Sequence, residues 1–103
     1  MPSVSPWPTV KPDVMPVVLK SVDPEFSEQA REERRSGSVE VHVLIDEHGK
    51  VVRTQVAMGV GYGLDDKAVE AVRQYILKPA MKDGQPVACA IYIQVNFVIR
   101  DKN

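Results

Sequence analysis

The run of 13 residues from Ala88 to Arg100, ACAIYIQVNFVIR, decides the fold of this chain. Every second position in the run is apolar, and these positions are Cys89, Ile91, Ile93, Val95, Phe97 and Ile99. The positions between them include Tyr92, Gln94, Asn96 and Val98. Strict alternation with β-branched and aromatic residues predicts a long β-strand with one buried and one wetter face. Because each such side chain stabilises a fold by roughly 1.5–3 kcal/mol when fully buried, this face is the largest block of core in the sequence.

Length, charge and cysteine content restrict the classes of protein. The chain of 103 residues suits one domain with a single modest core. Its 13 basic and 14 acidic residues give a net charge of −1, which provides no electrostatic reason to expect nucleic acid or an anionic membrane as a partner. No apolar run approaches the ~20 residues that cross a bilayer. The single Cys89 excludes an internal disulfide and is predicted to be a buried, inert thiol.

The N-terminal part is rich in proline, with five of the eight prolines in residues 1–22. Proline removes backbone donors and fixes φ, so we expect an extended arm or linker remnant over residues 1–15 and the folded domain over residues 16–103. Residues 14–22 are apolar enough to lie against that domain. Trp7 is either an anchor for the arm or an exposed side chain.

The middle of the chain predicts a helix and then a hairpin. Asp23-Pro24 predicts a helix start with Asp23 as the N-cap, and Gly37 is expected to end the helix after about Arg35. Two alternating segments, 38–46 and 50–58, flank a turn with glycine at position 49 and predict a β-hairpin. The expected inward residues are Val39, Val41, Val43 and Ile45 on the first strand and Val52, Thr54, Val56 and Met58 on the second.

A glycine-rich connection leads to a second helix. The spacing of Gly59, Gly61 and Gly63 fits neither a P-loop nor the dinucleotide fingerprint, so a flexible connection is predicted. The helix is expected to be capped by Asp65 and to end at Lys78-Pro79. Its predicted apolar stripe consists of Ala68, Ala71, Val72, Tyr75 and Ile76. Asp83-Gly84 predicts a turn that leads into the final strand.

These elements predict an α+β fold, a two-layer α/β sandwich in the order helix, strand, strand, helix, strand. Its antiparallel sheet has three strands in the order 2-1-3, with two helices covering one face. The final strand then lies at an edge, with an open hydrogen-bonding side that can accept a strand from a peptide or another protomer. Coverage of this edge by the N-terminal arm or a bulge is the alternative.

The residues give little support for catalysis, and no cofactor or metal is predicted. His42 and His48 lie on a strand and in a turn without other ligands at metal-binding spacing. Asp65 and Asp66 are adjacent, which suits capping rather than an acid and base pair. We therefore expect a protein that binds a partner rather than an enzyme.

Several short motifs resemble one known family. In order along residues 16–100 they are Pro24-x-Phe26 followed by Ala30, Gly37-Ser38-Val39, Ile45-Asp46-x-x-Gly49-Lys50-Val51, Gly63-Leu64-Asp65-x-x-Ala68-x-x-Ala71-Val72, Lys78-Pro79-Ala80, Asp83-Gly84-x-Pro86-Val87 and Val95-x-Phe97. As an ordered set, these motifs resemble the TonB C-terminal domain family.

The resemblance implies a periplasmic domain of an energy transducer, tethered to the inner membrane by a segment absent from this chain and working with ExbB and ExbD. Such a domain binds the TonB box of TonB-dependent outer-membrane receptors by strand addition, and the transmitted proton-motive energy drives nutrient uptake. Carried onto this sequence, the predicted partner-binding residues are Leu19, Lys20, Ser21, Val22, Ile91, Tyr92, Ile93, Gln94, Val95, Asn96 and Val98.

A second hypothesis assigns the same edge to assembly. Similar domains also occur in larger membrane proteins such as BlaR-like metallopeptidases, where the edge would serve in a sensor or pair two protomers as a homodimer. This hypothesis predicts dimerisation that depends on concentration.

Overall fold

The computed structural model describes residue 7 and residues 11–99. Most of the predicted arm, residues 1–6 and 8–10, therefore lies outside the described residues, as do residues 100–103 of the predicted domain. Along the described chain the elements are β1 Val17–Lys20, α1 Glu28–Glu32, β2 Gly37–Ile45, β3 Val51–Met58, α2 Leu64–Val72, β4 Ile76–Lys78, β5 Ala80–Lys82, β6 Gln85–Val87 and β7 Cys89–Phe97.

The main sheet is antiparallel and has the strand order β3-β2-β7. This confirms the predicted order, with the final strand at an edge. β2 and β7 pair without interruption from Gly37 opposite Phe97 to Ile45 opposite Cys89. The alternating apolar residues of both strands point to one face, where Val39, Val41, Val43, Ile45, Cys89, Ile93, Val95 and Phe97 are buried.

Two helices cover that face and close the core. α2 contributes Leu64, Ala68 and Val72, all fully buried, and α1 contributes Ala30. The ring of Phe26, just before α1, meets Phe97 edge to face with 5.5 Å between the ring centroids. The predicted α+β class with two helices on one face is confirmed.

The predicted inward face of β3 is wrong at two positions. Val52 and Met58 are 56% and 68% exposed. The pairing of β3 with β2 skips a residue at each end, so that Ile45 lies opposite Val51 and Glu40 opposite Met58. A β-bulge adds one residue to a strand, and a shift by one residue exchanges its two faces.

The first helix begins later than predicted, and Asp23 is not its cap. Ser27 is the N-cap, since its Oγ accepts a hydrogen bond from the Ala30 N–H at 3.1 Å. The Ser27 hydroxyl also donates to the carbonyl of Tyr62, which ties the helix start to the glycine-rich connection. The helix ends at Glu32, and Gly37 is the first residue of β2 rather than the helix terminator. The cap is therefore the buried Ser27, whose hydroxyl both donates and accepts a hydrogen bond, and not the exposed Asp23.

The second helix differs from prediction at both ends. Gly63 is its N-cap, without a capping side chain. Asp65 instead reaches back, and its Oδ1 accepts hydrogen bonds from the N–H groups of Val60 at 2.9 Å and Gly61 at 3.3 Å. These bonds hold the connection that the sequence predicted to be flexible.

The C-terminal end of α2 is at Val72, so Tyr75 and Ile76 do not belong to its apolar stripe. Ile76–Lys78 forms β4, which pairs antiparallel with β1. The spacing of apolar residues predicted that the helix continues, but residues 76–78 pair with a strand more than 50 residues away. Such a tertiary contact overrides the local preference and cannot be predicted from the periodicity of a single segment.

Residues 11–20 contact the domain mainly through their backbone. The segment from residue 14 onward lies against the domain, as Val14 pairs with Met81 and β1 with β4. The side chains of Val14 and Leu19 are nevertheless 52% and 63% exposed. Val14 exchanges backbone hydrogen bonds with Met81 of β5, and the side-chain carboxylate of Asp13 accepts a hydrogen bond from the Asp83 N–H. The Asp83-Gly84 turn joins β5 to β6, a short hairpin that the sequence analysis missed.

The turn between β2 and β3 contains a carboxylate with a lowered pKa. Asp46 Oδ1 accepts hydrogen bonds from the N–H groups of His48 and Lys50, both at 2.9 Å. The hydrogen bond from the Lys50 N–H is the largest cause of the lowered pKa. Burial opposes it with the second largest effect, and the hydrogen bond from the His48 N–H adds to the lowering. Gly49 follows with φ +83°, and a methyl group on it would stand 1.9 Å from the Leu77 carbonyl oxygen.

We expect Asp46 to contribute to the acid sensitivity of the fold. A carboxyl whose pKa is lower in the folded protein stabilises it above the unfolded pKa of about 3.9, and this contribution is lost as the pH falls through the folded pKa. The Asp46→Asn variant keeps an acceptor but does not titrate. Urea denaturation at stepped pH should show a smaller loss of stability below about pH 4 for this variant than for the wild type. Equal losses in both proteins would contradict the assignment.

Candidate partner-binding edge

The outer edge of β7 is the side of the sheet that faces away from β2. Within residue 7 and residues 11–99, β7 pairs with β2 alone. The strand has nine residues without a proline or a charge, so it lacks the features that usually protect an edge. The N-terminal arm was the alternative cover for this edge. Of its described residues, Val14 pairs with Met81 of β5 and Trp7 stacks on His42 on the face of the sheet.

Two hydrogen bonds in the β2–β3 turn reveal which way the β7 backbone points. The Asp46 N–H donates to the Lys50 carbonyl at 2.9 Å, and the Asp46 carbonyl accepts from the Gly49 N–H at 3.0 Å. The backbone of Asp46 therefore faces β3. Because successive residues of a strand point their backbone groups to opposite sides, Ile45, Val43 and every second residue before them face β7.

The register then orients β7 itself. Residues 89, 91, 93, 95 and 97 lie opposite the odd-numbered residues of β2, so their backbone groups point inward to β2. The N–H and C=O groups of Ala90, Tyr92, Gln94 and Asn96 therefore point to the outer edge. A strand added beside β7 would form its hydrogen bonds with these four residues.

The predicted site residues on β7 thus fall into two groups. Tyr92, Gln94 and Asn96 present both backbone groups to the edge and exposed side chains to the open face, the sheet face away from the helices. Ile91, Ile93 and Val95 turn their side chains toward the core and their backbone to β2, so they support the edge without facing a partner. Val98 lies just beyond β7 and is exposed.

The other predicted partner-binding residues, 19–22, do not lie in the sheet that contains β7. Leu19 and Lys20 are the last residues of β1, which pairs with β4, and Ser21 and Val22 follow. Leu19, Lys20 and Ser21 are exposed, and Val22 is half-buried. The strand pairing does not join this region to β7.

The open face carries aromatic contacts that the sequence analysis did not identify. The imidazole of His42 stacks on Tyr92 and on Trp7, and the Arg53 guanidinium lies over the Trp7 ring. Trp7 is therefore half-buried against the sheet, which answers the question that the sequence left open. The contact between His42 and Tyr92 follows from the register of β2 and β7, in which these residues lie opposite each other. No local sequence pattern around Trp7 indicates that its ring would lie on His42.

A shallow cavity and a cross-strand hydrogen bond complete the open face. The Ser38 hydroxyl donates to Asn96 Oδ1 at 2.6 Å. The cavity has a volume of about 300 Å³ and is lined by Ser38, Glu40, Met58, Gly59, Val60 and Gln94. Its position beside Gln94 provides space for a side chain next to the edge.

Other features of the described residues concern metals, membranes and the thiol. Within residues 11–99 together with Trp7, no three His, Cys, Asp or Glu side chains are arranged to hold a metal ion. No helix in that same part of the chain has the length and hydropathy to cross a membrane. Cys89 is buried as predicted, and burial raises the pKa of its thiol.

Comparison with known proteins identifies relatives. The family described as Gram-negative bacterial TonB protein C-terminal matches residues 22–99. Protein TonB of Vibrio cholerae serotype O1 is 32% identical over 82 residues, which cover 79% of this chain and 34% of that protein. The chain therefore spans about a third of the length of this relative.

A solved structure shares the fold. The solution NMR structure of the Pseudomonas aeruginosa TonB CTD superposes with a TM-score of 0.69 at 22% sequence identity, over 88% of this chain and 93% of that one. The match of the family along most of the chain, together with the Vibrio relative, shows that this chain belongs to the TonB C-terminal domain family.

Proposed function

We propose that this chain is a periplasmic binding domain that takes the TonB box of an outer-membrane receptor as an added strand on the outer edge of β7. The observation that carries the proposal is the row of outward backbone groups at Ala90, Tyr92, Gln94 and Asn96. Edge strands bind extended peptides through such groups, while neighbouring side chains and pockets provide specificity. The cavity beside Gln94 and the exposed ring of Tyr92 support a role of these residues in specificity.

The wider role proposed here is force transmission rather than catalysis. Membership of the family supports a domain that couples the inner-membrane ExbB and ExbD proteins to TonB-dependent receptors, through a tether outside this chain. The bound strand would carry tension from the transducer to the receptor. The boundary between arm and domain after residue 15, and a second contact at residues 19–22, belong to this proposal.

An NMR titration tests the proposed binding. The uniformly ¹⁵N-labelled chain is titrated with synthetic TonB-box peptides from receptors of the same organism. We expect backbone shifts concentrated on residues 89–97, with a second group at residues 19–22. A scrambled peptide of the same composition is the control.

Saturating peptide without shifts on β7 would contradict the proposal. In that case, sedimentation at several protein concentrations decides whether the edge pairs two copies of the chain instead. A dimer that forms as the concentration rises would favour the assembly hypothesis.

A further inference from the structure

Three rings form a stack across the open face. The His42 ring centroid lies 4.5 Å from that of Tyr92, with 12° between the ring planes, and 4.1 Å from that of Trp7, with 24° between the planes. Two rings this close and nearly parallel to His42 must occupy its opposite faces. The order of the stack is therefore Trp7, His42, Tyr92, running across the strands toward the outer edge of β7.

The stack has an open end at that edge. Tyr92 lies opposite His42 in the register, so the face of its ring that turns away from His42 turns toward the outer edge. The Tyr92 side chain is 60% exposed, and its ring stacks with His42 alone among the rings of the described residues. One face of the tyrosine ring is thus available beside the position that a partner strand would take.

The spacing of the rings matches the spacing of strands. Neighbouring strands lie about 4.7–4.9 Å apart, and directly opposed side chains have Cβ atoms about 4.5–5.5 Å apart. A side chain opposite Tyr92 on an added strand would therefore stand at stacking distance from the free ring face. We infer that Tyr92 is a specificity-determining residue of this edge and selects a partner strand with an aromatic side chain opposite it.

This inference rests on the proposed strand addition and specifies its partner. Packing of the other Tyr92 face against His42 orients the ring before binding, which lowers the conformational entropy lost when a partner ring stacks on it. Aromatic pairs stabilise a contact beyond the area they bury, and the expected gain corresponds to about three- to tenfold tighter binding than for an aliphatic side chain.

Paired peptide series test the inference. A Thr/Val host peptide carries a single phenylalanine at successive positions, and a second series carries leucine at the same positions. Calorimetry gives the ratio of the leucine to the phenylalanine dissociation constant for each pair. We expect one position at which this ratio is about three to ten with the wild type. The ratio should fall to about one with Tyr92→Leu and be retained with Tyr92→Phe.

The outcomes separate this inference from the proposed function. Peptides that bind without any position-specific preference, or a preference that survives in Tyr92→Leu, would overturn the role of Tyr92 and leave strand addition standing. If neither series binds, and TonB-box peptides cause no shifts on β7, the proposed function fails and the selectivity fails with it.

Discussion

The Phe97→Ala variant is expected to lose about 3–5 kcal/mol of unfolding free energy, the usual cost of removing a fully buried phenylalanine. Phe97 is 1% exposed and lies where the last pair of β2–β7 residues meets the first helix. Truncation removes its edge-to-face contact with Phe26 and leaves a cavity in the core. Because domains are stable by only about 5–15 kcal/mol, much of the total would be lost.

Urea denaturation monitored by circular dichroism measures this change. The matched control is Val98→Ala, since Val98 is the next residue and is 61% exposed. Surface substitutions of this kind change stability by about 0.5 kcal/mol or less. A loss below about 1 kcal/mol for Phe97→Ala would contradict the assigned core.

The Gln94→Pro variant is expected to weaken peptide binding at least about tenfold while the domain stays folded. The Gln94 N–H points to the outer edge, so proline removes no hydrogen bond to β2, and proline is tolerated on edge strands in this position. It does remove a donor that the partner strand needs, and its ring fills the space where the partner backbone would lie.

Gln94→Ala is the control, because it removes the side chain but keeps the N–H group. Its affinity for TonB-box peptides, measured by calorimetry, should exceed that of Gln94→Pro by about tenfold. If Gln94→Pro does not fold, Asn96→Pro places the same change nearer the end of β7. A folded proline variant that binds as tightly as Gln94→Ala would contradict strand addition at this edge.

The sheet could be predicted where residues alternate without interruption. β2 and β7 have this pattern, and their register and buried faces agree with it. β3 has the same kind of pattern, but a bulge at each end shifts the register there, so Val52 and Met58 are exposed while Thr54 and Val56 between the bulges keep the predicted face. A bulge depends on the pairing of two strands, and the alternation of one strand does not contain that information.

The short strands were missed for a related reason. β1 and β4 are separated by more than 50 residues and consist of four and three residues, too few for a periodic signal. Tyr75 and Ile76 continue the helical spacing of α2, which made a longer helix the local prediction. The pairing of β4 with β1 accounts for the extended backbone that begins at Ile76.

The candidate edge could be predicted, but its details could not. The position of β7 at the end of the sheet follows from the order of the elements. The direction of its backbone groups is set by its register with β2, which the pairing of the two strands determines and the alternation of β7 alone does not contain. The place of Trp7 on His42 depends on a chain segment without any periodicity, so no pattern in the sequence indicates that aromatic stack.

Amide hydrogen exchange in the peptide complex tests strand addition at β7 most directly. A TonB-box peptide should slow exchange at Tyr92, Gln94 and Asn96, whose N–H groups point to the outer edge. Exchange at Ile91 and Ile93 should change much less, because their N–H groups already face β2. This every-second-residue pattern is the expected result. Saturating peptide that leaves Tyr92, Gln94 and Asn96 exchanging as fast as in the free protein would contradict binding at this edge.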